Sequence, residues 1–468
     1  MDPGRLLAEL LRLAHEKLLL CRIIPGALKS ARSNNLASYE YLMSKFIEIQ
    51  PAAGSINASI QPPGSKSLTN RALPIAALAQ GTTTLTGVLD SDDTQAMIES
   101  LIKLGAKIQH DQESRRVVVE GMAGKLQNSA AELFIGNSGT TIRFLTALLG
   151  FAGGSFTLDG IPRMRERPIG PLVDALNQLG ANVSCESPGG CPPVKIDSTR
   201  LDGGAVKISG NLSSQYLSGL MMAAPLAAQS VILEIDGPLI SKPYVEMTQT
   251  VMREFGVKCK ASSALDRFEI EANQCYQARQ YDIEPDASAA SYFWAVAAIC
   301  GGTATVKGLN KSSLQGDVEF VDCLQKMGCD VVWRENEISV TGPATNGIDV
   351  DMSNVSDTVQ TLSAVALFVE GTTTVRNVAH NRVKETDRIG NLAIELRKFG
   401  VKVDEHEDGL SIHPGPLNGA DIETYDDHRM AMSLSLVGLR QSGVKIHDPG
   451  CVSKTYPEFF EDLTEFVS

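Results

Sequence analysis

Three clusters in the first half of the chain have the residue types of anion-binding sites. PPGSKSLTNR, from Pro62 to Arg71, opens on a Pro63-Gly64 turn and runs into the apolar segment RALPIAALA. Ser65, Ser67 and Thr69 bring hydroxyls to the start of that predicted helix, where unpaired backbone N–H groups favour an anion, and Lys66 and Arg71 add positive charge. It is not a Walker A loop, because the first glycine of G-x-x-x-x-G-K-[ST] would fall at Ser59 or Ile60 and no Gly-Lys pair occurs here. IGNSGTTIRFL, from Ile135 to Leu145, is a second glycine-rich turn leading into a helix, with Arg143. DGIPRMRERPIG, from Asp159 to Gly170, puts Arg163, Arg165 and Arg167 within five positions, and guanidinium forks suit phosphate or carboxylate. Ser213, Ser214 and Gln215, then Ser241, Lys242 and Tyr244, are weaker signals of the same kind, since polar helix starts occur in any α/β fold.

The second half mixes acids with bases. SDTVQTL supplies Asp357, NRVKETDRI supplies Arg382, Lys384, Glu385, Asp387 and Arg388, YDDHRMAMS supplies Asp426, Asp427, His428 and Arg429, and VSKTYPEFF adds Lys454. Fixed cations stabilise a neighbouring carboxylate, whereas burial or a nearby phosphate pushes the other way and makes it a useful proton carrier near neutral pH. Taken alone, KETDR reads better as an exposed, ion-paired helix start than as a site.

What positions these groups is a repeat. Helix ends SLIKLGAKI, ALNQLGANV, VMREFGVKC, CLQKMGCDV and ELRKFGVKV place glycines at 105, 180, 256, 328 and 400, spaced 72 to 76 residues apart. A glycine there caps a helix in a conformation that a Cβ would oppose. Strand-like runs beginning at Gly81, Gly154, Ser230, Gly302, Gly371 and Gly443 make six copies, the last cut short by the C-terminus. Strands alternating with helices predict α/β sheets covered by helices, and six units predict two similar halves with the ligand site between them.

Composition sets the limits. A chain of 468 residues exceeds one ordinary core, so two domains are expected. With 43% hydrophobic but only 5% aromatic residues, the core must be mainly aliphatic. A net charge of −13 excludes a sequence-blind nucleic-acid binder but not a small anionic ligand held by a local cationic cluster. Nine cysteines without a C-x-x-C pair read as reduced thiols of a cytoplasmic protein, with no metal site. No apolar run is long enough for a membrane span. Residues 1–42 contain a leucine-faced helical pattern followed by a polar stretch. Asp2, Glu9 and Glu16 argue against a transit peptide, leaving a docking helix or, as favoured here, an upstream extension outside the chemistry.

Together, PGSKSLTNR, RERPIG, SSQYLS, SKPY, EPDASAASYF, RVKETDRI, DDHRMAMS and SKTYPEFF resemble the 5-enolpyruvylshikimate-3-phosphate synthase family, in the family's order and from about Ser44 to the end. The resemblance implies the enolpyruvyl transferase fold, an inverse α/β barrel of two similar domains, each of three βαβαββ repeats. The chain would cross between them near residues 64 and 284. Domains are therefore expected at 43–64 with 285–468, and at 65–284, after the extension 1–42. The implied reaction moves the enolpyruvyl group of phosphoenolpyruvate to shikimate-3-phosphate by addition and elimination, with no cofactor, metal or covalent enzyme intermediate, in a monomer whose domains close on the substrates. Shikimate-3-phosphate would meet Lys66, Ser67, Arg71, Ser213, Ser214, Gln215, Ser241, Asp357 and Lys384. Phosphoenolpyruvate would meet Lys66, Gly139, Arg167, Gln215, Arg388, Arg429 and Lys454. Asp357, Glu385 and Lys66 would handle protons.

Two stretches depart from the family. Ser138, Thr141, Ile142 and Phe144 stand in a loop that usually reads Asn-Ala-Gly-Thr-Ala-Met-Arg-Pro, so glyphosate sensitivity is not carried over. His380 and Asn381 replace the usual Asn-Trp or Ser-Trp, so no substrate contact is carried onto His380. The related transferase that uses a UDP-amino sugar needs a loop cysteine, and none lies between Cys21 and Cys185. A catalytically silent scaffold would be expected to have lost Lys66, Asp357, Glu385 or Lys454, and all four are present.

Overall fold

The computed structural model describes residues 45–468 apart from 211 and 212; the expectations for the N-terminal extension lie outside the described residues. Six helices form the centre: α1 (Lys66–Leu78), α2 (Gly139–Ala152), α3 (Ser214–Ala223), α4 (Ala287–Cys300), α5 (Val359–Val365) and α6 (His428–Gly438). Apart from polar first turns and a few small polar residues their sequences are apolar, and a helix of that kind must be enclosed. Accordingly α5 and α6 are buried at every residue and α4 at every residue from Ala287 to Ile299. Between them run amphipathic helices such as Lys242–Glu254, which bury Val245, Met247, Val251 and Met252 along one face.

Each central helix belongs to one βαβαββ unit. In the clearest, strand Ala130–Phe134, α2, strand Gly154–Asp159, helix Gly170–Gln178 and strands Val183–Ser187 and Cys191–Ser198 follow in order. The first two strands pair in parallel and the others antiparallel. Among the described residues there are six such small sheets, five of four strands and one of three. The five helix-ending glycines all have φ between +87° and +101°, the conformation their spacing predicted.

Three long-range pairings close the architecture. Strand Ile56–Ile60 pairs with Gly302–Lys307, and Gln280–Asp282 with Thr82–Thr86. Strand Phe46–Ile49 pairs with Val444–His447 and adds a third strand to the sheet of the truncated sixth copy, which stays one strand short of the others. The connecting segments run side by side, with Ser65 N donating to Glu284 O (2.8 Å) and Asp286 N to Pro63 O (2.8 Å). Two separate apolar cores result, one drawn from residues 68–283, the other from Ile49, Ile56 and residues 287–466.

Candidate active site

The N-termini of the central helices meet at one cleft. Ser65, Ser138, Ser213, Asp286 and Asp427 cap α1, α2, α3, α4 and α6, each accepting a backbone N–H. The ends touch: Lys66 N donates to Asp286 Oδ2 (3.0 Å), and Arg429 of α6 reaches Asp357, just before α5, and Tyr292 of α4. Five capped helix starts aimed at one space give it a positive potential before any side chain is counted. The caps also divide the first motif's hydroxyls. Ser65 is consumed in capping, and buried Thr69 accepts from Leu89 N, so Ser67 remains at the cleft.

All nine residues expected around shikimate-3-phosphate line one cavity: Lys66, Ser67, Arg71, Ser213, Ser214, Gln215, Ser241, Asp357 and Lys384. Thr140, Ile240, Tyr244 and His380 complete the wall. Arg71 is held by Thr248 Oγ1 (2.8 Å), Ser67 O (2.9 Å) and Tyr244 O (3.2 Å), and burial lowers its pKa to about 10, still charged at neutral pH. Gln215 Oε1 accepts from Arg143 Nη1 at 2.5 Å, so Arg143 orients it from behind. Ser241 sits at φ 51°, ψ 46°, a left-handed conformation that costs a non-glycine residue roughly 1 kcal/mol or more and marks a constrained wall. His380 is in this wall, where the resemblance carried no contact. Its Nε2 meets Ser356 Oγ at 2.9 Å, and burial lowers the ring to about 3, a neutral imidazole.

Beside this cavity is a buried web of ions. Arg388 donates to Asp427 (2.7 and 3.0 Å) and pairs with Glu385 (2.8 Å) and Asp357 (3.4 Å). Arg429 and Lys384 also reach Asp357, at 2.8 and 3.3 Å. Arg167 lies 3.5 Å and Lys454 4.0 Å from Glu385. Lys454 also contacts Asp93 (2.8 Å) and Asn137 O (2.7 Å), and Lys66 lies 3.7 Å from Asp93. The expected residues Lys66, Arg167, Arg388, Arg429 and Lys454 are thus joined through Asp93, Asp357 and Glu385. Gly139 adjoins them, since a Cβ there would lie 2.5 Å from Arg167 Nη2.

Burial alone would raise both central carboxyls, but the cations win. Arg429, Lys384 and Arg388 hold Asp357 well below the ordinary range, and Arg388, Arg167 and Lys454 do the same for Glu385. His428, buried with neither ring nitrogen hydrogen-bonded, is kept neutral by desolvation and by Arg429.

Some participants were not visible beforehand. Asp93 bridges two essential-looking lysines, yet in SDDTQ it reads as one more acid at a helix start. The three clustered arginines separate: Arg163 reaches the opposite half through Glu385 O (2.8 Å) and Lys384 O (3.1 Å), Arg165 pairs with Asp159 at the surface, and only Arg167 enters the web. Among the described residues, no group of three or more His, Cys, Asp or Glu is arranged to hold a metal ion, and no helix is long and apolar enough to cross a membrane.

Comparison with known proteins agrees with the motifs. A family model described as EPSP synthase (3-phosphoshikimate 1-carboxyvinyltransferase) matches residues 51–463. The chloroplastic 3-phosphoshikimate 1-carboxyvinyltransferase of Brassica napus is 48% identical over 436 residues, covering 89% of this chain and 84% of that protein. The 3-phosphoshikimate 1-carboxyvinyltransferase of Shewanella baltica (strain OS185) is 47% identical over 422 residues, covering 90% and 99%. A solved EPSP synthase from Acinetobacter baumannii superposes with a TM-score of 0.76 at 26% identity, covering 90% of this chain and 98% of that one. With the motifs, the six-unit architecture and these matches in agreement, the chain belongs to the EPSP synthase (3-phosphoshikimate 1-carboxyvinyltransferase) family.

Proposed function

We propose that this chain transfers the enolpyruvyl group of phosphoenolpyruvate to shikimate-3-phosphate, releasing phosphate. The observation that carries the reading is the adjacency of a phosphate-suited cavity and a buried web of five cations around two carboxylates. Two highly anionic substrates need such density inside an otherwise acidic protein. In this reading Ser67, Arg71, Ser213, Ser214, Gln215, Ser241 and Lys384 hold shikimate-3-phosphate. Lys66, Gly139, Arg167, Arg388, Arg429 and Lys454 surround phosphoenolpyruvate, with Gln215 between the two.

Asp357 takes the proton of the attacking hydroxyl as its oxygen bonds to the central carbon of phosphoenolpyruvate. Glu385 and Lys66 deliver a proton to the methylene carbon, and loss of any one of the three hydrogens of the resulting methyl group, together with phosphate, restores the double bond. The very low affinity of both carboxylates for protons belongs to the site without substrates. Phosphate and carboxylate groups of the substrates compete for the same cations and raise both carboxyls toward the range where proton transfer is efficient.

Two domains, 65–284 and 43–64 with 285–468, fit the two separate cores, and their contacts through Arg163, Lys454 and Ser453 fit closure over the substrates. The eight described cysteines are free, which supports a reducing compartment such as the cytoplasm.

Phosphate release from the purified chain should require both substrates together. Release with a UDP-amino sugar instead, or none with either acceptor, would overturn the assignment. Gly139→Ala should raise KM for phosphoenolpyruvate about tenfold, because the new methyl displaces the Arg167 guanidinium, while KM for shikimate-3-phosphate stays within about twofold. Equal increases for both substrates would remove Gly139 from the phosphoenolpyruvate side.

A further inference from the structure

Asp317 is a buried acid that the mechanism above does not use. It lies in the short turn Gly316–Glu319 and is 3% exposed. Its Oδ2 accepts from Tyr244 Oη (3.0 Å) and from Ser288 Oγ, while its Oδ1 is buried without a hydrogen bond. Among the described residues no cation forms an ion pair with it. Arg429, the charge that faces it from α6, is tied to Asp357 instead.

The hydroxyl of Tyr244 is within hydrogen-bond reach of two carboxylates, since Asp357 Oδ2 is 3.5 Å from it as well. Tyr244 and Asp357 both line the substrate cavity. The two acids differ sharply in their surroundings. Asp357 is ringed by Arg429, Lys384 and Arg388, so a proton placed on it has little reason to stay. Asp317 has burial and the charge of Asp357 acting on it, which raise it to about 6. Burial and the same two carboxylates keep the Tyr244 phenol well above its ordinary range, so it remains a neutral hydroxyl that accepts and donates at once.

We propose that Asp317 is the terminus of a proton relay, running from Asp357 through Tyr244, that draws the acceptor's hydroxyl proton away from the reacting atoms. This rests on the transferase reading above. As the acceptor O–H bond breaks and its oxygen bonds to carbon, the proton passes to Asp357. The new O–H of Asp357 donates to Tyr244 Oη, whose own proton moves to Asp317 Oδ2. Asp357 and Tyr244 return to their starting forms, and Asp317 becomes a neutral acid. During elimination the reverse path returns the proton, which leaves with the phosphate. One proton moves, and no oxidant or reductant is needed. The present geometry, with Tyr244 closer to Asp317, is that of the relay ready to receive.

The test is steady-state phosphate release by the full chain, with both substrates, across about pH 5 to 9, for the parent, Asp317→Asn, Tyr244→Phe and the double variant. Each single change should lower kcat about 10- to 100-fold with both KM values within about twofold, and the double variant should be no worse than the singles. In the parent, kcat should fall as the pH drops through about 6, because Asp317 then takes a solvent proton and cannot accept the substrate's. That acid limb should be missing from Asp317→Asn. A kcat within about twofold of the parent for Tyr244→Phe, additive losses in the double variant, or an acid limb retained in Asp317→Asn would each overturn the relay. Tyr244→Phe keeps the ring in place, so it decides the matter if Asp317→Asn fails to fold. An active parent with unaffected variants sinks the relay alone, whereas an inactive parent sinks the transferase reading.

Discussion

Replacing Glu385 by glutamine is expected to lower kcat about 10²- to 10⁴-fold while leaving the fold intact, the range over which a positioned acid or base contributes to proton transfer. The substitution is nearly isosteric. The amide oxygen can still accept from Arg388 in the place of Oε2, while the amide NH2 replaces the oxygen that faces Arg167, so the web loses one negative charge and one acceptor but no volume. What disappears is the capacity to take a proton and give it to carbon. A second readout isolates that step. In heavy water the methylene hydrogens of phosphoenolpyruvate should exchange during turnover by the parent and exchange far more slowly with the variant. Near-normal turnover in a folded Glu385→Gln protein would require Lys66 to be the proton donor and would remove Glu385 from the chemistry.

Arg388→Met should be the most damaging change to stability. One guanidinium, 2% exposed, is shared by Asp427, Glu385 and Asp357, and Asp427 also caps α6. Methionine fills much of the volume but leaves Asp427, itself fully buried, without its only ion-pair partner among the arginines and lysines of the described residues. Removing one partner of a buried pair costs about 3–5 kcal/mol, because the remaining charge has neither water nor a counterion. Chemical denaturation should show that loss, and activity should be absent even where the protein stays folded. Arg388→Lys should recover part of the stability but not the bidentate bond to Asp427. An unchanged denaturation midpoint for Arg388→Met would mean that this guanidinium does not neutralise the site.

How much of this was readable beforehand depends on how local each determinant is. The glycines at 105, 180, 256, 328 and 400 announced five of the six units because a helix terminus that needs positive φ leaves its mark on a single residue. The helix starts at Lys66 and Ser214 were equally visible, as caps precede apolar runs within a few residues. Pairing of Ile56–Ile60 with Gly302–Lys307 has no local mark, and the crossing of the chain came only from family resemblance. The same limit applies to the site. Arg163, Arg165 and Arg167 look interchangeable in sequence, yet the single tight turn Met164–Glu166 sends them to the opposite half, the surface and the ion web. Asp93 becomes meaningful only because the segment around Lys454 arrives beside it from a distant part of the chain, and Arg143, visible as a cation, takes its role of orienting Gln215 only because α3 packs against α2.

The side-by-side crossing near residues 64 and 284 also sets an order of events on the ribosome. Every residue of the first core lies between 68 and 283, so that half can condense once its own stretch has emerged. Strands Phe46–Ile49 and Ile56–Ile60 are made earlier but must wait, because their partners are Val444–His447 and Gly302–Lys307. Contacts so distant along the chain form slowly, since a long loop must close before they are rewarded. Among the described strands, the earliest synthesised therefore include the last to be placed, and until then each presents an open edge to which another nascent chain could add.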